Sequence, residues 1–102
     1  MFGLEERHIH FIINILNKNI NNIAKYYVFG SRSKGDYKEY SDIDIAIDSG
    51  KKIEDNVMSA IMTDFENSTL PYKVDVVDLN SVSEDFKNLI KDDLKKLKKF
   101  DK

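Results

Sequence analysis

The chain has 102 residues, 16 basic and 18 acidic side chains, a net charge of −2 and no cysteine. The length predicts a single domain over residues 1–102, and the charge argues against binding of nucleic acid through a broad basic surface. The missing cysteines exclude disulfides, thiolate metal sites and cysteine nucleophiles. Residue Met1 is followed by neither a signal-peptide pattern nor an apolar run of about 20 residues, so we expect a complete, cytoplasmic protein that does not enter a membrane.

The first half of the chain predicts a helix, a strand and a loop. Apolar residues recur at helical spacing over residues 5–19. The aromatic run 26–29 is typical of a short strand that stops at Gly30. Residues 30–41 are polar and contain two glycines, which indicates a loop, with one helical turn possible after Ser31.

The second half predicts two strands and two helices. Isoleucine alternates with aspartate or alanine over 42–48, and the period of two indicates a strand. A helix over 53–67 and a strand over 73–79 follow, and a last helix begins at Ser83 and continues through Leu97. This order predicts a small mixed α/β domain, of the α+β type, whose helices cover one face of the sheet and leave the other for chemistry. The aromatic residues that we assign to the core are Tyr26, Tyr27, Phe29 and Phe65.

Acidic residues lie in phase on the predicted strands. Asp42 and Asp44 point to the same face, with Cα atoms roughly 6.5–7 Å apart. The two carboxylates repel each other, whereas a bound Mg²⁺ would use both as oxygen ligands. Asp75 points away from the apolar face of the later strand and is the third candidate ligand. Asp78 shares the phase of the apolar residues Val74 and Val76, so it is a weaker candidate ligand than Asp75. We interpret Asp78 and Asp48 as surface or turn residues.

The loop after the first strand contains the candidate phosphate contacts. Gly30 allows the backbone to approach a ligand closely, and Ser31 adds a hydroxyl and the free N–H groups of a starting helical turn. Arg32 and Lys34 lie in the same loop, where they either neutralise phosphate or are simply solvated.

These residues resemble a known signature. Gly30–Ser31, ten intervening residues and Asp42-x-Asp44 are similar to the motif of the DNA polymerase beta superfamily of nucleotidyltransferases. The same stretch most resembles the minimal nucleotidyltransferases (MNT proteins) of bacteria and archaea, and the similarity extends over nearly the whole chain. The resemblance implies that Gly30–Ser31 binds the triphosphate, that Asp42 and Asp44 bind metal, and that Asp75 completes a catalytic triad. At position 33 this sequence has a serine where relatives often have an alanine.

The resemblance also implies a reaction and a partner. Two Mg²⁺ ions would assist transfer of a nucleoside monophosphate, AMP from ATP by default, with pyrophosphate leaving. Asp75 would help to deprotonate the acceptor hydroxyl, directly or through a metal. Larger superfamily members have extra acceptor-binding domains, which we do not find here, so we expect another protein to supply the acceptor. MNT proteins are commonly paired with a small all-helical HEPN-type protein, either as antitoxin and toxin or as a two-component nucleotidyltransferase.

Two other interpretations remain open. The chain could be a binding subunit with weak or absent catalysis, which neutralises or completes a helical partner. The acids alone could form a solvated strand face, but Gly30–Ser31 at the right distance and Asp75 on a later strand make this less convincing. Non-specific binding of nucleic acid fits poorly with the net charge of −2.

Overall fold

The structure is a computed structural model that describes residues 2–20 and 23–97. The predicted fold class is confirmed, because helices and strands alternate around one mixed sheet. The elements in chain order are α1 (Glu6–Asn19), β1 (Lys25–Phe29), α2 (Ser31–Lys34), β2 (Ile43–Asp48), α3 (Asp55–Glu66), β3 (Val74–Asp78), α4 (Glu84–Ile90) and β4 (Lys95–Lys96).

The four strands form a sheet in the order β3-β2-β1-β4. Strand β1 runs antiparallel to β2 and to β4, whereas β2 and β3 are parallel. A parallel pair needs a crossover connection, which α3 provides here. The register places Asp44 of the central strand β2 opposite Phe29 on one side and opposite Asp75 on the other.

The main core lies between the sheet and the helices α1 and α3. The predicted helical stripe of α1 is buried, and Ile61 and Phe65 of α3 pack into the same cluster. The isoleucines of β2 point to this side, so the alternation in the sequence correctly assigned the apolar face of the strand. Within the described ranges, none of the helices combines the length and apolar character needed to cross a membrane. The largest fully buried apolar side chains of the described residues are Ile9, Ile12, Leu16, Val28, Ile43, Ile45, Ile47 and Ile61.

Helix α4 packs on the opposite face of the sheet, which differs from the expected arrangement with helices on one face only. Phe86 and Ile90 contact a second, smaller apolar cluster that contains Phe29, Ala46 and Val77. The rings of Phe29 and Phe86 meet edge to face, with centroids 6.2 Å apart. The face that carries Asp44 is therefore partly covered.

The last predicted helix is shorter than expected. Ser83 caps α4 as predicted, since its Oγ accepts a hydrogen bond from the Phe86 N–H at 3.2 Å. The helix ends at Ile90, and β4 pairs with β1 instead of continuing the helix through Leu97. The helical spacing of the apolar residues was misleading because a turn followed by a short strand also buries Leu97. The end of the predicted lysine-rich stretch, residues 98–102, lies outside the described residues.

From the sequence we interpret Asp78, like Asp48, as a surface or turn residue. It does form a turn at the end of β3, but it does not lie on the surface, because the residue is only 4% exposed. Its Oδ2 accepts a hydrogen bond from the Ile53 N–H at 2.7 Å, and its Oδ1 accepts one from the Asn80 N–H at 2.9 Å. Asp48 is a turn residue as expected, and its Oδ1 accepts hydrogen bonds from the Gly50 N–H and from the Asn80 Nδ2. Asp78 thus joins β3 to the segment that leads into α3.

Replacing Asp78 by alanine is expected to lower the free energy of unfolding by about 2–3 kcal/mol, because the buried Ile53 N–H loses its acceptor. Asp48→Ala, which removes a half-exposed carboxylate with two similar bonds, should cost less than about 1 kcal/mol. Urea titrations of both variants measure the difference. A loss for Asp78→Ala no larger than that for Asp48→Ala would contradict the structural role.

Candidate active site

The acidic pair at the centre of the site consists of Asp44 and Asp75, which occupy paired positions on the parallel strands β2 and β3. Both side chains are intermediate in exposure, and both lie on the face opposite the main core. Asp42 lies just before β2 and is exposed. The structure therefore brings Asp44 and Asp75 together across the sheet, with Asp42 at the entrance to the strand.

Electrostatic repulsion acts within this acidic group. Burial raises the pKa of Asp44 above its ordinary value, and the negative charges of Asp75 and Asp42 raise it further, while Lys73 lowers it. Each of the two neighbouring carboxylates therefore makes ionisation of Asp44 less favourable. A site of this kind is stabilised by a cation.

Lys73 lies beside the acidic pair and was not among the predicted site residues. Its Nζ lies 4.0 Å from Asp75 Oδ1, and its charge favours ionisation of Asp44. The sequence contained a signal, since residues two apart on a strand share a face, and Lys73 is two residues before Asp75.

The donor set fits a hard divalent cation. Over residues 2–20 and 23–97, no cluster of three or more histidine, cysteine or acidic side chains is already arranged to hold a metal ion. Mg²⁺ does not require such a cluster, because proteins usually bind it through one or two carboxylates together with substrate phosphates. The paired oxygens of Asp44 and Asp75, with Asp42 close enough to act on Asp44, suit a site that a nucleotide completes.

The turn after β1 is shaped around Asp44. Gly30 has φ 73° and ψ −151°, a backbone conformation that is essentially restricted to glycine. A Cβ atom added there would overlap Asp44 Oδ2 and lie 3.4 Å from Asp44 Cγ. The predicted helical turn is present, because α2 begins at Ser31 and the Lys34 N–H donates to the Gly30 carbonyl at 3.2 Å. The Gly30–Ser31 backbone is thus directly beside Asp44.

The two cations of α2 have different positions. Arg32 is only 2% exposed, and its guanidinium donates hydrogen bonds to backbone carbonyls of the protein. Its position gives no support to the prediction that it contacts phosphate. Lys34 is half exposed, and its Nζ forms an ion pair with Asp93 Oδ2 at 3.5 Å. Lys34 therefore remains accessible to a ligand.

A model of the family described as "Polymerase beta, Nucleotidyltransferase" matches residues 10–102. The chain belongs to this family. The match contains the turn at Gly30 and all three candidate carboxylates, so the structural arrangement and the family assignment concern the same residues.

Two curated relatives are protein adenylyltransferases. The chain is 40% identical over 65 residues to the probable protein adenylyltransferase MntA of Haemophilus influenzae, a match that covers 64% of this chain and 57% of the relative. It is 39% identical over 72 residues to the protein adenylyltransferase MntA of Shewanella oneidensis, covering 71% of this chain and 51% of the relative. The chain thus spans only a little more than half the length of the curated relatives that it matches.

Solved structures of toxin–antitoxin complexes share the fold. A toxin–antitoxin complex with AMP-PNP superposes with a TM-score of 0.75 at 31% identity, covering 95% of this chain and 75% of the other. The structure of the tri-AMPylated HEPN toxin of Shewanella oneidensis in complex with its MNT antitoxin gives a TM-score of 0.72 at 27% identity. The match covers 95% of this chain and 74% of the other. These matches confirm the predicted resemblance to MNT proteins.

Proposed function

We propose that the chain is a Mg²⁺-dependent nucleotidyltransferase that moves AMP from ATP to a hydroxyl group of a partner protein. The observation that carries the proposal is the pairing of Asp44 with Asp75, together with the turn beside Asp44, where the backbone conformation and the lack of space favour a glycine at position 30. A strand face that is merely solvated has no need of two facing carboxylates next to a backbone turn without a side chain. The absence of cysteine also suits the reducing cytoplasm, where we place the reaction.

Each side chain has a proposed task. The backbone N–H groups at Gly30–Ser31 and the Ser31 hydroxyl bind the triphosphate, since successive backbone N–H groups form anion-binding concavities. The carboxylates of Asp42, Asp44 and Asp75 hold two Mg²⁺ ions together with the phosphates. Lys34 is the accessible cation for a phosphate or for the departing pyrophosphate.

The chemical step is an in-line displacement at the α-phosphorus of ATP. The acceptor oxygen forms a bond to the α-phosphorus, the bond from that phosphorus to the oxygen that bridges to the β-phosphate breaks, and pyrophosphate leaves. Asp75 helps to remove the proton of the acceptor hydroxyl, directly or through a metal, and its position opposite Asp44 on an edge strand of the described sheet supports this role. When bound, Mg²⁺ neutralises charge on the phosphates and on the reacting oxygens. Full turnover by Asp75→Asn would remove the proton-accepting role.

We propose a HEPN-type helical protein as the acceptor and an antitoxin role for the chain. The relatives are named protein adenylyltransferases, and the related structures are complexes of MNT antitoxins with toxins, one of them AMPylated. These facts support transfer onto a bound protein over transfer onto a small molecule. A two-component nucleotidyltransferase with a helical substrate-binding subunit is the neighbouring possibility that the experiment separates.

The test uses purified protein, Mg²⁺ and ATP labelled at the α-phosphate, with and without the protein encoded next to it. Label is expected on the neighbouring protein, and it should be absent with Asp42→Asn/Asp44→Asn although the complex still forms. Label on a small molecule that the neighbour binds would instead identify a two-component enzyme. A stable complex that is never labelled, and whose biological effect persists in the double variant, would identify a binding subunit and overturn the proposal.

A further inference from the structure

Arg32 is an unusual residue for the core of a small domain. It is one of three buried polar or charged residues in the described part of the chain, and its side chain is 2% exposed. Burial of a charged group is costly unless the group is well hydrogen-bonded. The contacts that offset this cost therefore indicate what the side chain does.

The guanidinium donates hydrogen bonds to the loop that ends at Asp42. Its Nε and Nη2 donate to the Ser41 carbonyl at 3.1 and 2.9 Å, and Nη2 also donates to the Glu39 carbonyl at 3.2 Å. Its Nη1 donates to the Phe2 carbonyl at 2.9 Å. Ser41 immediately precedes Asp42, so these bonds fix the backbone directly before the first of the three candidate carboxylates.

Two aromatic rings contact the guanidinium as well. The Arg32 Cζ lies 5.1 Å from the ring centroid of Tyr37 and 4.7 Å from that of Tyr72, within the range of cation–π contacts. Tyr72 lies three residues before Asp75, in the segment that leads into β3. Arg32 therefore also contacts the segment that leads to the third candidate carboxylate, Asp75.

We propose that Arg32 is a positioning residue that holds the Gly30–Ser31 turn, the loop before Asp42 and the segment before Asp75 in one fixed arrangement. The inference rests on the proposed function, and it explains why an arginine in a predicted phosphate loop is turned into the protein. The planar guanidinium uses several donors at fixed angles, which a lysine ammonium cannot reproduce. Arg32 thereby sets the affinity of the site for Mg²⁺·ATP without touching the nucleotide.

The experiment compares Arg32→Lys with Arg7→Lys, the same change at the only other arginine of the chain, which is exposed. Amide hydrogen exchange of residues 36–42 and 71–76 reports the arrangement, and calorimetry gives the dissociation constant of Mg²⁺·ATP. Arg32→Lys is expected to speed exchange in both segments and to weaken Mg²⁺·ATP binding by about tenfold or more, as expected for lost hydrogen bonds to a charged group. Arg7→Lys should change neither quantity.

A stability control separates positioning from general loosening of the fold. Ile61→Val shortens a fully buried side chain of α3 and should lower stability by about 0.5–1.5 kcal/mol. It should leave Mg²⁺·ATP affinity unchanged. Equal weakening of binding by Ile61→Val at equal loss of stability would overturn the inference, as would Arg32→Lys with wild-type affinity.

A second variant serves if Arg32→Lys does not fold. An added Cβ at Gly3 would overlap the ring of Tyr37, so Gly3→Ala displaces the ring from Arg32 without changing any charge. It is expected to weaken Mg²⁺·ATP binding in the same direction by a smaller factor, and unchanged binding together with faster exchange in residues 36–42 would overturn the positioning role. If the wild-type protein itself binds no Mg²⁺·ATP, that result would overturn the proposed function. The inferred effect of Arg32 on affinity would then be overturned as well.

Discussion

Asp44→Asn is expected to reduce AMP transfer by more than about 10²-fold and, at the same time, to raise the melting temperature of the metal-free protein. Loss of residues that merely orient a metal ligand costs about 10–100-fold, and Asp44 is proposed as a ligand itself. The stability gain follows from the raised pKa of Asp44, which burial causes first and the charges of Asp75 and Asp42 reinforce. A neutral amide removes this repulsion. Transfer assays and thermal unfolding in chelator-treated buffer measure the two effects.

The pH dependence of the stability gain has a definite sign. A carboxyl group with a raised pKa in the folded state binds its proton more tightly there than in the unfolded chain. The folded state therefore loses stability as pH rises from the ordinary pKa of a carboxyl group through the raised pKa of Asp44. The advantage of Asp44→Asn should thus be full near neutral pH and should disappear in acid, where Asp44 is protonated in both states.

Magnesium should reverse the order of the two melting temperatures, so that the wild type becomes more stable than Asp44→Asn. A ligand at 100 times its dissociation constant stabilises the folded state by about 2.7 kcal/mol, and only the wild type is expected to receive the full effect. The exposed Asp92→Asn is the control for loss of one negative charge, and it should respond to Mg²⁺ like the wild type. Equal stabilisation of wild type and Asp44→Asn by Mg²⁺ would contradict the metal assignment.

The acidic face of the sheet was predictable because its signal is local. Alternation of isoleucine with aspartate or alanine over 42–48 fixes which side chains share a face, whatever the strand pairs with. The phase of Asp75 was readable in the same way, and the parallel register confirms that it lies opposite Asp44. Alternation alone does not show that the two strands are neighbours, and the resemblance added only that the three aspartates belong to one triad.

The contacts of Arg32 were not predictable because its partners are remote in the sequence or belong to the backbone. A polar loop from 30 to 41 gives no sign that one of its cations is buried. The acceptors of Arg32 are carbonyls of Phe2, Glu39 and Ser41, and backbone carbonyls have no residue-type signal. Tyr72, which contacts the guanidinium, is 40 residues away along the chain.

The prediction that the last helix continues through Leu97 was wrong for a related reason. Leu94 and Leu97 continue the helical spacing of α4, and Leu97 is indeed buried. Pairing of β4 with Tyr27 and Val28, not local spacing, decides the backbone conformation there. Tertiary pairing overrides local preference where an element is only two residues long.

Gly30→Ala is expected to cost about 1–3 kcal/mol of folding free energy and at least about 10²-fold in transfer rate. The backbone cost arises because φ 73° and ψ −151° are essentially restricted to glycine. The catalytic cost arises because the new methyl group would overlap Asp44 Oδ2, and displacement of a reacting group by about 1 Å can cost about 10²-fold. Urea titration and the α-labelled ATP assay measure the two costs on the same preparation.

Gly50→Ala separates the two causes. Gly50 also has a positive φ, of 85°, but an added Cβ there meets nothing within 4 Å. It should lose stability through its backbone and keep both Mg²⁺·ATP binding and transfer. Gly30→Ala that loses only as much activity as Gly50→Ala would mean that Asp44 can move aside at no cost. The contact between the turn and the carboxylate would then be incidental, and the case for a nucleotide site at Gly30 would lose its main geometric support.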